Sequence, residues 1–370
     1  MHAFLAFLFG ALPLFAAEPP RQMATLGDSL STGAITHPDM AWDPKSLDEL
    51  IQKPAIVPPL MPTRVWEPVD ESQGYLATLA KKAEQGLKER YIGGYVDLEE
   101  NSWGFLLGRK LQVDAKQILV AGEIGTRSSD AQPQAKRLLR FTGKALPSLT
   151  FVGFTGNDAC GTAFNSQFDF TAARKGFAAN ILKGLKELLD NGDAVNGETA
   201  TIFVMGHLPI ADLMTKEDVL DKEVFAFGEN RTCRELRAMR EGDIPKYENP
   251  SPLFKTILGL VKRRNLPPVV ELCKNVLSIE PEDTEKQVFL RNLIAAYRLG
   301  AQDAVEEAKA LQSEKYPQKK VRFQYLKSSE GYQIEADDVA VDCFHLSPHG
   351  QEKLAQLLFN EIKQTLSDYE

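Results

Sequence analysis

Residues Gln22–Ala34 read QMATLGDSLSTGA. The five residues after Gln22 are apolar or small and end on a glycine, and an aspartate, a serine and a leucine follow at once. Such a run reads as a buried strand and its exit turn. Ser29 then has two readings: it caps a helix that starts after it, or it is placed to attack something.

Four further runs have the same character: QILVAG (Gln117–Gly122), LTFVGFTGND (Leu149–Asp158), ATIFVMGH (Ala200–His207) and VRFQYL (Val321–Leu326). Helical periodicity fills the gaps between them, in SWGFLLGRKLQ from Ser102, AQPQAKRLLRFTGKAL from Ala131 and FTAARKGFAANILKGLKELLDNG from Phe170. The last ends on Asn191-Gly192, a helix stop. About five buried strands alternating with helices predict a doubly wound α/β fold with a parallel sheet.

Two stretches interrupt the alternation. Residues 37–72 are rich in proline, including KPAIVPPLMPTRVWEPVDES (Lys53–Ser72), and read as a long loop that forms one wall of a site. From about 211 to 317 the chain is charged and mainly helical, with apolar residues three and four apart in PLFKTILGLVKRRN, PPVVELCKNVL and EKQVFLRNLIAAYRLG. It reads as a helical insertion or cap before the last strand.

A chain of 370 residues with 43% hydrophobic side chains builds a real core. Residues 18–370 are expected to form a single domain carrying these two interruptions. The net charge of -8 and the absence of a lysine and arginine stripe argue against nucleic acid as a partner.

The N-terminus differs from the rest. AFLAFLFGALPLFAA (Ala3–Ala17) is almost wholly apolar, is broken by Gly10 and Pro13, and ends in small residues before EPP. Residues 1–17 resemble a secretory signal peptide, the alternative being a buried N-terminal helix. The run is shorter than the roughly 20 apolar residues a bilayer crossing needs, and no other segment spans a membrane. An exported protein, secreted or periplasmic, is the expectation.

Four cysteines, Cys160, Cys233, Cys273 and Cys343, form an even set that fits two disulfides in an oxidising compartment. Free buried thiols are the alternative. The spacings match no zinc pattern and no acidic cluster has metal-binding spacing, so no metal is expected.

Ser29 lies just past the first strand, at the strand end where open α/β sheets gather their functional groups. The later strand ends supply the other parts of an acyl-transfer site. Gly125 follows the second, in GEIGTRSSD; Asn157 follows the third, in GFTGND; and DDVAVDCFHLSPHG follows the fifth, with Asp342 three residues before His345. A serine hydroxyl needs a base, the base needs an acceptor that fixes its tautomer, and the developing oxyanion needs donors. Ser29, His345, Asp342, Gly125 and Asn157 fill those roles.

With these blocks in this order, the sequence resembles the GDSL-type lipases and esterases, also called SGNH hydrolases. GND followed by Cys160, DCFHLS, and the Q-A-x-x-L run at Gln134–Leu138 are most similar to the phospholipase B-like branch. The resemblance implies a flavodoxin-like three-layer α/β/α sandwich and no cofactor. It also implies an acyl-enzyme mechanism in which Ser29 attacks, His345 is the base and Asp342 orients it. The N–H groups of Ser29 and Gly125 and the amide of Asn157 would form the oxyanion hole. The competing G-x-S-x-G elbow of α/β-hydrolases does not fit, because Ser31 stands at its last position.

Since Cys160 and Cys343 lie close in sequence to Asn157 and His345, a Cys160–Cys343 bridge stapling the two active loops is the favoured pairing of the three available. Asp28 and Asp158 read as holders of turns. Asp337 and Asp338 are weaker partners for the histidine than Asp342. His349 reads as a solvated first-turn residue, with Ser347 as cap and Pro348 as first helical residue, and His207 as structural. The implied substrate is a small-molecule or lipid ester, with transient contact at a lipid surface left open. A phospholipid or lysophospholipid is the first expectation. A carbohydrate O-deacetylase is the second, and a noncatalytic exported binding protein on the same fold the third.

Overall fold

The computed structural model describes residues 22–36, 62–65, 95–97, 99–226, 229–240, 243 and 273–367. The segment read as a signal peptide and all of 37–72 except 62–65 lie outside the described residues. The central sheet has six strands: β1 (Met23–Gly27), β2 (Thr63–Arg64), β3 (Ile118–Val120), β4 (Leu149–Gly153), β5 (Ala200–Met205) and β6 (Val321–Leu326). They lie in the order β6-β5-β4-β1-β3-β2, and every pairing is parallel. Five are the runs that read as strands. The sixth, β2, adds two residues of the proline-rich stretch to the edge beside β3, too short a run to register as a strand in sequence.

Helices α1 (Trp103–Lys110), α2 (Ala131–Phe141), α3 (Phe170–Asn191), α4 (Cys233–Ala238), α5 (Thr284–Lys315) and α6 (Pro348–Ser367) complete the framework. On one face α2, α3 and α5 pack side by side, and on the other α1 packs against α6. The starts of these helices follow local chemistry: Ser102 caps α1 through the N–H of Phe105, Asp169 caps α3 through that of Ala172, and Thr232 and Glu235 form a reciprocal capping box at α4. Every residue of β1, β4 and β5 is buried, as strands covered on both faces must be. Trp103 meets Phe151 edge-on at 5.8 Å, and Phe151 stacks on Phe203 at 5.1 Å, which joins α1, β4 and β5 into one core. Burying each such ring contributes roughly 1.5–3 kcal/mol.

The stretch expected as a helical insertion at about 211–317 divides on packing. Its last part is α5, whose buried Leu290, Leu293, Ile294, Tyr297, Ala301, Ala304 and Ala308 face inward at three- and four-residue spacing. This helix lies along α3 and leads into β6, so it is the crossover that a parallel pair requires. The remainder, among the described residues, comprises helical turns at Asp212–Thr215 and Glu217–Leu220, an antiparallel pair Glu223–Ala226 with Glu229–Thr232, α4, and the turn Lys274–Leu277. Residues 244–272, with the run PLFKTILGLVKRRN and most of PPVVELCKNVL, lie outside the described residues.

With the edge strand β2 set aside, the order β3-β1-β4-β5-β6 is the flavodoxin-like one. The chain changes direction across the sheet between β1 and β4, and at such a switch point the strand ends open a crevice. Gly27 pairs with Gly153, so β1 and β4 end level with each other. Their exit loops, carrying Ser29 and Asn157, therefore start side by side.

Candidate active site

The turn that carries Ser29 is built around Gly27. Its φ is +151°, and a Cβ there would lie 2.2 Å from the Gly153 carbonyl oxygen, so only glycine lets the ends of β1 and β4 close. Gln134 of α2 grips the same residue from the other side, accepting the Gly27 N–H at 2.7 Å and donating to its carbonyl at 2.9 Å. Asp28 ties the turn to the next loop. One carboxylate oxygen accepts the N–H groups of Thr155 (2.8 Å) and Gly156 (3.1 Å), and the other accepts that of Leu30 (3.2 Å). Burial pushes the Asp28 carboxyl up to about 6, against the pull of those three donors, with Asp158 adding to the rise.

Residues after Ser29 form turns, with Thr32 and Ala34 donating to the Ser29 carbonyl, and no helix starts here for Ser29 to cap. The Ser29 Oγ lies 3.0 Å from His345 Nε2. The other ring nitrogen, Nδ1, lies 2.7 Å from Asp342 Oδ2. Asp342 Oδ1 meanwhile accepts the backbone N–H groups of Phe344 (3.0 Å) and His345 (2.9 Å). The three-residue spacing thus lets one carboxylate hold both the ring and the backbone of the histidine. A β-bridge between Val339 and Leu346 closes the base of this loop. Burial alone would raise the Asp342 carboxyl, but the His345 charge and these hydrogen bonds outweigh it and hold it below the usual carboxylate range. An ionised Asp342 can only accept from Nδ1, which leaves Nε2 as the ring nitrogen facing the serine hydroxyl. Ser29 is 5% exposed, His345 4% and Asp342 fully buried, so their contacts lie out of bulk water.

The Asn157 amide donates to the Thr126 carbonyl at 3.0 Å, which orients it beside the loop that carries Gly125. Gly125 has φ +79°, a left-handed conformation that favours glycine. Among the described residues, no backbone carbonyl takes the N–H of Ser29 or of Gly125. Asp158, pushed upward by burial, accepts the Ser128 N–H (2.8 Å) and hydroxyl (2.7 Å), and so ties the loop after β4 to the loop after β3. Thr126 Oγ1 donates to the Gly27 carbonyl at 2.9 Å, which closes the circle of loops. Asp28 and Asp158 hold turns, as their residue type predicts.

Other residues singled out from the sequence stand apart from the Ser29–His345–Asp342 contacts. His207 is buried, its Nδ1 lies 3.2 Å from the Leu208 carbonyl, and its ring stacks on Tyr297 at 5.7 Å. Burial lowers it to about 4, so it is neutral at physiological pH. His349 bonds the Asp338 carboxylate at 3.0 Å, and the same carboxylate receives the Lys353 ammonium at 2.6 Å. Asp338 is therefore engaged away from His345. Among the described residues no cluster of three or more His, Cys, Asp or Glu is placed to hold a metal ion.

The cysteines form two bridges, Cys160–Cys273 and Cys233–Cys343. This corrects the favoured Cys160–Cys343 pairing. Proximity in sequence to two residues that meet does not aim two sulfurs at each other. Each active loop is instead tied to the helical region between β5 and β6: Cys343 to α4, and Cys160 to the residue that precedes Lys274–Leu277. Asn275 adds a hydrogen bond to the Cys160 carbonyl at 2.9 Å.

Two residues that hydrogen-bond the loops of this site, Gln134 to Gly27 and Arg237 to the Cys343 carbonyl, escaped the sequence reading. Gln134 stood in a run noted for resemblance, but its function, holding both polar groups of Gly27, was visible only as a polar residue on the buried face of α2. Arg237 gave no signal beyond lying four residues after Cys233.

A parallel sheet in flavodoxin-like order with helices on both faces is the fold of the SGNH hydrolases. The model of the family described as GDSL-like Lipase/Acylhydrolase matches residues 23–358, and the chain belongs to that family. Solved structures similar to it include a psychrotrophic esterase from Pseudoalteromonas sp. inhibited by monoethylphosphonate, at 12% identity and TM-score 0.37 over 94% of this chain and 99% of that one. A carbohydrate esterase described as having divergent catalytic and non-catalytic binding functions is similar at 13% identity and TM-score 0.36, over 93% of this chain and 68% of that one. The lipase/acylhydrolase of Enterococcus faecalis is similar at 13% identity and TM-score 0.31, over 93% and 96%. No curated protein matches the chain.

Proposed function

We propose that the protein is an exported serine carboxylic-ester hydrolase that works through an acyl-enzyme, with the ester of a phospholipid or lysophospholipid as substrate. One observation carries the catalytic reading: the unbroken contact from Ser29 Oγ through His345 to Asp342. Ser29 Oγ adds to the ester carbonyl carbon while Nε2 of His345 takes its proton. The carbonyl oxygen becomes an oxyanion, received by the N–H groups of Ser29 and Gly125 and the amide of Asn157. Collapse breaks the carbon–oxygen bond to the alcohol, which leaves with the proton from Nε2. Water then repeats the sequence on the acyl-enzyme and releases the acid.

Apolar surface beside the Asn157 loop supports a fatty acyl group. Phe164, 38% exposed, meets Phe289 edge-on, and Phe168 and Phe170 complete the cluster. Export is supported by the two bridges, which persist in oxidising compartments, and by the apolar N-terminal run. The test is mass spectrometry of the products released from a lipid mixture by the native protein and by Ser29→Ala. Free fatty acid and deacylated lipid appearing only with the native protein is the expected result. A nitrophenyl ester series in which acetyl is cleaved well and long acyl groups are not would transfer the assignment to an O-deacetylase. Native protein that releases no acid from any ester would favour a binding role.

A further inference from the structure

Between β5 and β6 the chain sends cations into the loop that carries Asp342 and His345. Lys216 donates to the Ile334 carbonyl at 2.7 Å, and Lys222 to the carbonyls of Ala336 (2.8 Å) and Val339. Arg237 of α4 goes deepest. It is 6% exposed, and its guanidinium donates to the carbonyls of Leu213 and Cys343.

Cys233 and Arg237 are four residues apart and so lie on one face of α4. Both hold Cys343, the first through its sulfur and the second through its carbonyl oxygen. Cys343 sits between Asp342 and His345 and has φ +58°, a left-handed conformation unfavourable for an L-residue other than glycine. The loop therefore adopts a costly backbone just where α4 grips it at two points.

A buried guanidinium with only carbonyl acceptors is an expensive way to fill space, since an apolar side chain of similar volume would do so without desolvating a charge. Burial lowers Arg237 to about 10, the Asp342 charge opposes that fall and Arg234 adds to it, so Arg237 keeps its cation at neutral pH. Arg234 is itself spent on Glu217 and Asp221. Lys222 feels Asp337, Asp338 and Asp342 in turn. The Asp342 charge acts on both the buried Arg237 and the half-buried Lys222.

We propose that Arg237 is a positioning residue for the Asp342–His345 pair, fixing the backbone between them through its charged hydrogen bond to the Cys343 carbonyl. The proposal rests on the serine-hydrolase reading given above. It assigns to the region between β5 and β6 a share in assembling the site, separate from any contact with substrate.

The test compares native protein with Arg237→Met, Arg237→Gln and Arg237→Lys. Active sites are counted by titration with a fluorophosphonate, kcat and KM are measured per titrated site on a nitrophenyl ester, and thermal midpoints are recorded. Arg237→Met is expected to lower kcat per titrated site by roughly ten- to a hundredfold, with KM within about twofold. Arg237→Gln, which keeps a donor and loses the charge, should fall between, and Arg237→Lys should recover most of kcat. If Arg237→Met gives no titratable protein, the contrast between Gln and Lys decides. Equal kcat per titrated site in all variants, whatever their thermal midpoints, would overturn the proposal and leave Arg237 a structural residue. Native protein that neither labels at Ser29 nor hydrolyses the ester would overturn the serine-hydrolase reading first and the proposal with it.

Discussion

On the proposed reading Asn157 serves the oxyanion through the second hydrogen of an amide whose first is held by the Thr126 carbonyl. Removing one such donor costs about 3–4 kcal/mol of barrier. Asn157→Ala should therefore lower kcat by about a hundred- to a thousandfold, while the lost bond to Thr126 costs only about 1 kcal/mol of stability. Steady-state kinetics beside a urea titration checks this, and a variant with near-native kcat would remove Asn157 from the site. Asp28 makes a different prediction. Its folded carboxyl binds a proton more tightly than the unfolded one, so between about pH 4 and pH 6 the native state holds more protons and stability falls as pH rises. The loss reaches roughly 3 kcal/mol above that window. Asp342 has the opposite sign: its contribution is present above the unfolded pKa and disappears as pH falls through the lower folded value. In Asp28→Asn the falling slope between pH 4 and 6 should vanish relative to native, as read by urea unfolding at several pH values. Parallel slopes would mean that Asp28 stays ionised throughout. Ser29, His345 and Asp342, which the structure brings into contact, stand out in the sequence because Ser29 lies just past a strand-like run and Asp342 stands three residues before His345 in the segment after the last one. Gln134 and Arg237 do not, because what they do depends on which backbone groups the fold brings to them.

Four of the strands form because they are nearly continuous apolar runs that two helical layers can cover, and β6 alternates apolar with polar residues; those patterns are what made them readable. Strand β2 has no such run, and only its pairing with Leu119 and Val120 makes it a strand. Helix α5 was readable as a helix from its periodicity, yet its place was not. Apolar residues spaced three and four apart say that a helix buries one face, and whether it covers a cap or the sheet is decided by the packing against α3. The sulfur pairing belongs to the same class, since it follows from side-chain directions that chain distance does not carry. The end of β1 carries the sharpest prediction at this scale. Gly27→Ala puts a methyl group 2.2 Å from the Gly153 carbonyl and 2.4 Å from Ser31 Oγ, at φ +151°. Strain of this kind costs on the order of 3 kcal/mol or more. Thermal unfolding should show a marked loss of stability together with loss of activity, and a native-like midpoint would mean that β1 and β4 do not close as described.

At the scale of the whole molecule, the strand order sets two exit loops side by side at the switch point, and the return of the chain through β6 brings the Asp342–His345 loop to the same rim. The site is thus a product of topology, joined from segments more than three hundred residues apart, the Ser29–His345 contact spanning 316 positions. The two bridges, each closing more than a hundred residues, then anchor the loops around Asn157 and His345 to the region between β5 and β6. Geometry of this kind leaves Ser29 primed only when the imidazole is present and correctly turned. Labelling with a fluorophosphonate, followed by mass spectrometry of the modified peptide, measures that directly in the native protein, Ser29→Ala and His345→Ala. The account predicts rapid phosphonylation at Ser29 alone in the native protein, none in Ser29→Ala and a large loss of rate in His345→Ala. Labelling at another residue, or at Ser29 with an undiminished rate in the absence of the imidazole, would contradict it.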